Sequence, residues 1–339
     1  MLRNLARTAL LAGATSLALI VGTAAEATSK HLTILASVPD LAFPFFVYMM
    51  GQIKDEANRL GDITVIESDG QRSSPKQSAD LEAAIAEGVD GIVINPNDFD
   101  ALAPALQEAI DSKIPAVTID RRANVRGILA HVSADNVRGG EAQGELVMKL
   151  FPNGARVMYL QGQSGASPAI DRSNGLHNVL DKARGKYKFV FEDTAHFDRA
   201  QGLSMTESAL AGMKLLPDVI VCANDDMALG ALVALKSRDL VGKVAIVGFD
   251  ALPEALGEIK VGNLTATIEQ KPGGQSCRAV DILVAVLRDG EKPAQQVTQL
   301  APVAITRDNV GEAERIGEVK EAALPAQLWA ARNVARLFS

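Results

Sequence analysis

A chain of 339 residues with formal net charge −7, its charges spread along its length, has no concentrated positive surface. That excludes the phosphate grip on which nucleic-acid binding depends. With 47% hydrophobic residues, 28 glycines and 14 prolines the composition is that of an ordinary globular protein, long enough for two domains that each bury a core.

The first 27 residues read as a leader rather than as part of the fold. Arg3 and Arg7 precede an apolar, small-residue stretch that ends in Ala25-Glu26-Ala27, the pattern of a cleavable secretory signal peptide. The stretch is short and rich in Gly and Ala, which argues against a membrane anchor. Beyond it, strands are expected near 32–38, 63–66, 91–94, 116–119 and 128–132, with helices over 45–60, 75–87 and 100–112 between them. Ser73 and Ser74 are good caps for the second of these helices. The rhythm then restarts, with helices over 137–151, 170–182, 199–213, 227–237, 253–259 and 274–288. Strands near 156–160, 187–191, 219–223, 244–247, 264–268 and 303–305 alternate with them. Alternation of this kind implies βαβ units with right-handed crossovers, and two successive doubly wound units fit the chain better than one very wide sheet. After Asp308 the pattern stops: 311–320 is polar, and 326–338 reads as an amphipathic helix carrying the single tryptophan, Trp329.

The apolar runs share an ending. Each closes on a polar residue able to bind a hydroxyl: Asn95, Asp120 with Arg121, Asn224, Asp250 and Gln270. In open α/β sheets ligands bind just beyond the carboxyl ends of the strands, so five such endings from both halves suggest a cleft lined from two sides. Phe45 and Phe46 follow the first strand. They either pack into the core at a helix start or offer flat faces to the C–H side of a sugar ring, with Phe197 as an opposing ring. Asp120-Arg121 is either a surface ion pair in a turn or a carboxylate and a guanidinium fork that each take two neighbouring hydroxyls. Arg122 beside them reads as solvated. In Asn224-Asp225-Asp226, capping of the helix that begins at Met227 is assigned to one of the aspartates and ligand contact to Asn224. Asp250 could either touch a ligand or cap the helix at Pro253.

Signals for catalysis are weak. Gly162-Gln163-Ser164-Gly165 fails the spacing of a nucleophile elbow, since Ala166 stands where glycine is needed. No dinucleotide fingerprint or phosphate loop is present. Cys222, Cys277 and the four histidines fall in no metal-ligand spacing, so no metal and no cofactor are expected. Two free thiols are preferred over a disulfide. Neither cysteine lies beside the cleavage site, so lipid attachment there is excluded.

The motifs resemble the periplasmic sugar-binding proteins of the ribose-binding family, and within it the branch that includes inositol-binding proteins. The resemblance spans nearly all of 32–308. It is carried by Pro44-Phe45-Phe46, Ile94-Asn95-Pro96, Thr118-Ile119-Asp120-Arg121, and Ala134-Asp135-Asn136-Val137 with Gly139-Gly140. Farther on come Asn224 through Ala231, Val247-Gly248-Phe249-Asp250 and Ala266-Thr267-Ile268-Glu269-Gln270. It implies an α/β fold of two doubly wound parallel-sheet lobes joined by a three-strand hinge, with crossings near Ala134, Gln270 and Ala304. The lobes would comprise 30–134 with 271–304 and 135–270 with 305–320, leaving 321–339 as a tail without a counterpart. The implied site is Phe45, Phe46 and Phe197 as stacking rings, with Asn95, Asp120, Arg121, Arg172, Asn224, Asp250 and Gln270 as hydroxyl partners. Two positions depart from the ribose-binding pattern: Phe43 stands where asparagine is usual, and Ile170 where arginine is usual. Loss of a donor fork at Ile170 changes which hydroxyls can be satisfied, so a cyclic polyol or another monosaccharide is as well supported as ribose.

The implied function is that of a monomeric periplasmic receptor, not an enzyme, that delivers a sugar or polyol to the membrane permease of an ABC importer. A chemoreceptor would be a second partner. Two other classes compete. A repressor of the lactose-repressor type would carry a basic helix-turn-helix where this chain has its leader. An exported carbohydrate-active enzyme would need a positioned acid/base pair.

Overall fold

The computed structural model describes residues 30–319. The leader, the tail after Lys320 and Trp329 lie outside the described residues. The first half runs β1 (Leu32–Val38), α1 (Pro44–Leu60), β2 (Ile63–Asp69), α2 (Ser74–Glu87), β3 (Gly91–Ile94), α3 (Ala103–Asp111), β4 (Ala116–Ile119) and β5 (Ala130–Ala134). The second half repeats the rhythm with α4 (Asn136–Leu150), β6 (Ala155–Gln161), α5 (Ser167–Leu180), β7 (Tyr187–Thr194), α6 (Arg199–Gly212) and β8 (Val219–Cys222). It continues with α7 (Asp225–Lys236), β9 (Ala245–Val247), α8 (Pro253–Val261) and β10 (Ala266–Glu269). The chain then returns through α9 (Pro272–Asp289) and β11 (Val297–Leu300) before ending on β12 (Val303–Thr306) and two short 3-10 turns.

Two six-stranded sheets result. The first has the order β11-β5-β4-β3-β1-β2 and the second β12-β10-β9-β8-β6-β7. Every pairing is parallel except β10 with the edge strand β12. All residues of β3, β4, β8 and β10 are buried, as expected of parallel strands covered by helices on both faces. Proline opens α1, α2, α3, α5, α8 and α9, where its missing N–H costs nothing. Each lobe reverses strand order once, between β1 and β3 and between β6 and β8, and the carboxyl ends around those reversals face one another.

Three crossings join the sheets. The first leads from β5 into α4, and the second from β10 into α9, which packs on β3, β4 and β5 of the first sheet. The third is the two-residue step from β11 to β12, where Ala304 is already paired with Ile268. Ser73 caps α2, its hydroxyl accepting from the Lys76 amide.

Several elements differ from expectation: α5 begins at Ser167 rather than at 170, β7 runs on to Thr194, and β5 spans Ala130–Ala134 rather than 128–132. The third helix begins at Ala103 rather than at 100, because Asp98 Oδ1 accepts from the amides of Asp100 and Ala101 and holds 98–101 as a turn. β11 was not foreseen. It is an edge strand with every other residue exposed, so its sequence lacks the continuous apolar run of its neighbours. Cys222 and Cys277 are free thiols, and burial raises the pKa of both, that of Cys277 to about 11. Among the described residues no helix is long and apolar enough to cross a membrane.

Candidate functional site

The facing strand ends enclose a cleft with about 500 Å³ of space, its mouth included. Phe45 and Phe46 reach it from the first turn of α1, Asp120 and Arg121 from the end of β4, and Arg172 from α5. Phe197, Asn224, Asp250 and Gln270 follow β7, β8, β9 and β10. Nine of the ten residues singled out in the sequence line this wall. The tenth, Asn95, is fully buried behind it, where its Nδ2 donates to Asp120 Oδ2 at 3.0 Å.

On the first lobe, Asp120 and Arg121 are each 4% exposed, so they are not a surface pair. Arg121 donates to the Asn97 carbonyl at 2.9 Å and to Gln163 at 3.3 Å. Its guanidinium carbon lies 5.3 Å from the Phe46 ring and 5.7 Å from the Phe197 ring, between aromatic groups of the two lobes. Burial pushes its pKa down to about 10, against the pull of Asp120, and it stays charged at neutral pH. In the wall, Arg121 Nε, 3.9 Å from Asp120 Oδ2, and Asp120 Oδ1 are buried without a hydrogen-bond partner, as is Asn95 Oδ1 behind it. Buried polar atoms are nearly always hydrogen-bonded, so unpaired ones in a cleft wall mark places for ligand atoms.

On the second lobe the polar side chains are anchored by bonds to one another and to the backbone. Arg172 donates to the Ala223 carbonyl at 2.7 Å and to Asp250 Oδ1 at 3.5 Å, and its guanidinium lies 3.6 Å over the Phe249 ring. Asp250 also accepts from Gln270 Nε2 at 2.6 Å. Burial, reinforced by the charge of Asp120 and opposed by Arg172, pushes its pKa up to about 8. Its backbone is held at φ 111°, with Ala251 at 53°. Non-glycine residues in this region are strained, and such strain gathers at ligand sites. Asp250 does not cap α8, whose N-cap position is Leu252.

The capping assignment at α7 is corrected. Asn224 itself is the cap, its Oδ1 accepting from the Met227 amide while its Nδ2 donates to the Phe197 carbonyl. Asp225 accepts from the Leu252 amide and the Thr267 hydroxyl, and Asp226 pairs with Arg199. Arg122 is also corrected: it is not simply solvated, because its half-exposed side chain forms a two-point ion pair with Asp171 across the cleft lip, at 2.7 and 3.1 Å. Arg72 reaches Asp198 across the mouth at 3.1 Å, and Gln163 donates to the Asn97 carbonyl at 3.1 Å. The lobes are therefore closed on each other.

Of the two departures, Phe43 lines the cleft, under the Arg72 guanidinium at 4.6 Å and edge-on to Phe46 at 6.1 Å. Ile170 is half exposed and off the cleft wall, so its side chain removes no donor from the site. Sequence reasoning overlooked Asn97, Gln163 and Arg72 as wall residues. Asn97 and Gln163 could have been found, since each lies two or three residues past a strand end. Arg72 lies on a turn whose position only the fold reveals.

Chemically, the wall presents aromatic rings beside alternating carboxylates and guanidinium forks. Each fork can donate two hydrogen bonds and each carboxyl group can accept hydroxyls, Asp250 also donating while its raised pKa keeps it protonated. A neutral, hydroxyl-dense ring matches that arrangement.

A model of the periplasmic binding protein domain matches residues 34–292. The chain is 40% identical over 246 residues to the ribose import binding protein RbsB of Bacillus subtilis, covering 72% of this chain and 77% of that one. It is 35% identical over 293 residues to RbsB of Escherichia coli, covering 85% and 95%. A crystal structure of a Caulobacter myo-inositol binding protein bound to myo-inositol is 40% identical, with TM-score 0.81, covering 85% of this chain and 98% of that one. An ABC transporter solute binding protein from Bacillus halodurans with bound myo-inositol is 30% identical, with TM-score 0.78, covering 84% and 98%.

Proposed function

The chain belongs to the ribose-binding family of periplasmic binding proteins, and from that premise we propose that its ligand is a cyclic polyol of the inositol kind. It is the periplasmic sugar- or polyol-binding component of an ABC importer, a binding protein rather than an enzyme, whose two lobes close around a small ligand. The observation that carries the site is that Asp120 and Arg121, each with a buried side-chain atom lacking a hydrogen-bond partner, share one cleft with Arg172 and Asp250 of the other lobe. A ring hydroxylated on every carbon offers both lobes partners at once. Two observations favour a cyclic polyol over ribose: the likeness to two inositol-bound structures, and the Phe43 ring, which gives no hydrogen bond to a hydroxyl on that side. Phe45, Phe46 and Phe197 are the stacking rings, and Asp120, Arg121, Arg172, Asn224, Asp250 and Gln270 the hydroxyl partners. Asn95 aims Asp120. The cleft is complete within one chain, which supports action as a monomer, and a chemoreceptor is a second proposed partner besides the permease.

A thermal-shift screen tests this, because a ligand that binds only the folded state raises its stability with concentration. Inositols should shift the transition more than pentoses, hexoses or linear polyols. A larger shift with D-ribose than with any inositol would reject the cyclic polyol. Silence across the whole panel would reject the site.

A further inference from the structure

Two of the three crossings deliver a side-chain amide to an ionisable group of the second lobe. At the second crossing, Gln270 holds Asp250. At the first, β5 ends on Ala134, Asp135 caps α4, and Asn136 is the first residue of that helix. Asn136 Oδ1 accepts from Arg172 Nε at 2.9 Å, and its Nδ2 donates back to the Ala134 carbonyl at 3.3 Å. Asn136 is 4% exposed and does not line the cleft. One end of its amide is spent on the crossing strand and the other on the cation that faces the ligand.

The separation between Asn136 and Arg172 is fixed by backbone packing. A Cβ on Gly140 would lie 2.1 Å from the Arg172 carbonyl oxygen, and one on Gly175 would lie 2.0 Å from that of Val137. Only glycine lets α4 and α5 meet so closely. Arg172 is then held from three directions: Asn136 at Nε, Ala223 and Asp250 at the terminal nitrogen, and Phe249 beneath its plane. Of these, Asn136 is the anchor that comes from a crossing.

We infer that Asn136 is a positioning residue for ligand binding. It sets the rotation of the Arg172 fork and ties that fork to the first crossing, as Gln270 ties Asp250 to the second. The inference rests on the reading of Arg172 as a ligand group. Without the Asn136 acceptor, Nε is left buried and unpaired, and the fork can turn on the Phe249 face away from the hydroxyls it must meet.

Calorimetry on the full chain, with whichever of myo-inositol and D-ribose binds it more tightly, tests the assignment. Asn136→Ala should weaken binding by about 10- to 100-fold, the worth of one hydrogen bond to a charged group. Asn136→Asp, which keeps the acceptor, should stay within about threefold of the unaltered chain if the acceptor is what matters. Arg172→Met should weaken binding at least as much as Asn136→Ala, and adding Asn136→Ala to it should cost almost nothing more, because the two residues act as a unit. Asn136→Ser replaces the alanine variant if that fails to fold. Full additivity in the double variant would make Asn136 merely structural and overturn the inference. Normal affinity in Asn136→Ala beside a crippled Arg172→Met would overturn it while leaving the site intact. Normal affinity in Arg172→Met would remove Arg172 from the site and the inference with it.

Discussion

The two walls of the cleft are built from the same strand ends but prepared differently. In the first lobe, Asp120 and Arg121, with Asn95 behind them, each keep a buried polar atom without a hydrogen-bond partner. In the second, Arg172, Asn224 and Asp250 are each anchored by hydrogen bonds within their own lobe, with Gln270 at its crossing reaching Asp250. The first wall thus carries unmet hydrogen-bonding demand, and the second carries fixed geometry. A ligand stabilises closure only through its extra affinity for the closed arrangement, so both kinds of wall are needed: one to gain from contact and one to be in place already.

The sharpest way to break that picture is to remove one group from each wall. Arg121→Ala and Asp250→Ala should each weaken binding by about 2–5 kcal/mol, because each leaves ligand hydroxyls or protein groups unpaired in a buried site. Calorimetry measures both. If only the Arg121 variant loses affinity, the ligand is held by one lobe and the second wall is scaffolding.

A second test concerns what fixed geometry costs the second lobe. Asp250, with a pKa raised to about 8, keeps a proton in the folded state that the unfolded chain has already lost. Between the two values the unfolded state binds fewer protons, so the stability of the unliganded chain should fall as pH rises from about 4 to 8. The slope from this one group can reach about 1.4 kcal/mol per pH unit. Asp250→Asn, neutral throughout, should flatten the slope in part, because burial also holds Asp225 far above the ordinary carboxylate range. Urea denaturation across that range reads the slope. An identical slope in the variant would mean that Asp250 is not the strained group of the second wall.

The walls were legible in the sequence to different degrees. Strand ends could be read because fully buried parallel strands are short unbroken apolar runs, and the first polar residue after each run must emerge at the carboxyl edge. That logic located Asp120, Arg121, Asn224, Asp250 and Gln270. It put the cap of α7 on an aspartate rather than on Asn224, since all three residues are good caps and the register depends on where β8 stops. It also placed Asn95 one layer too far forward, because Asn95 Nδ2 turns toward Asp120 rather than the cleft. β11 escaped because an exposed edge strand alternates and carries little apolar signal. Pairs that meet only after folding, such as Arg72 with Asp198 or Asn136 with Arg172, leave no trace in local spacing.

The smallest expected effect belongs to the lip, where the walls touch directly. Arg121 and Arg172 line the cleft, and their chain neighbours Arg122 and Asp171 pair with each other across the lobes. The Arg122 side chain is 42% exposed, so solvent screens the pair and its worth should be only about 0.2–1 kcal/mol. The pair forms only when the lobes are closed. Its loss in Arg122→Ala should therefore appear mainly as faster ligand release, with little change in association. Raising salt should shrink the difference from the unaltered chain, since the contact is electrostatic and near the surface. Stopped-flow release at low and high salt, with Asp171→Ala and the double variant completing the cycle, measures the coupling. A loss as large as that of Arg121→Ala would move the seat of affinity from the buried walls to the rim, and the contrast between an unmet first wall and a fixed second one would no longer explain closure.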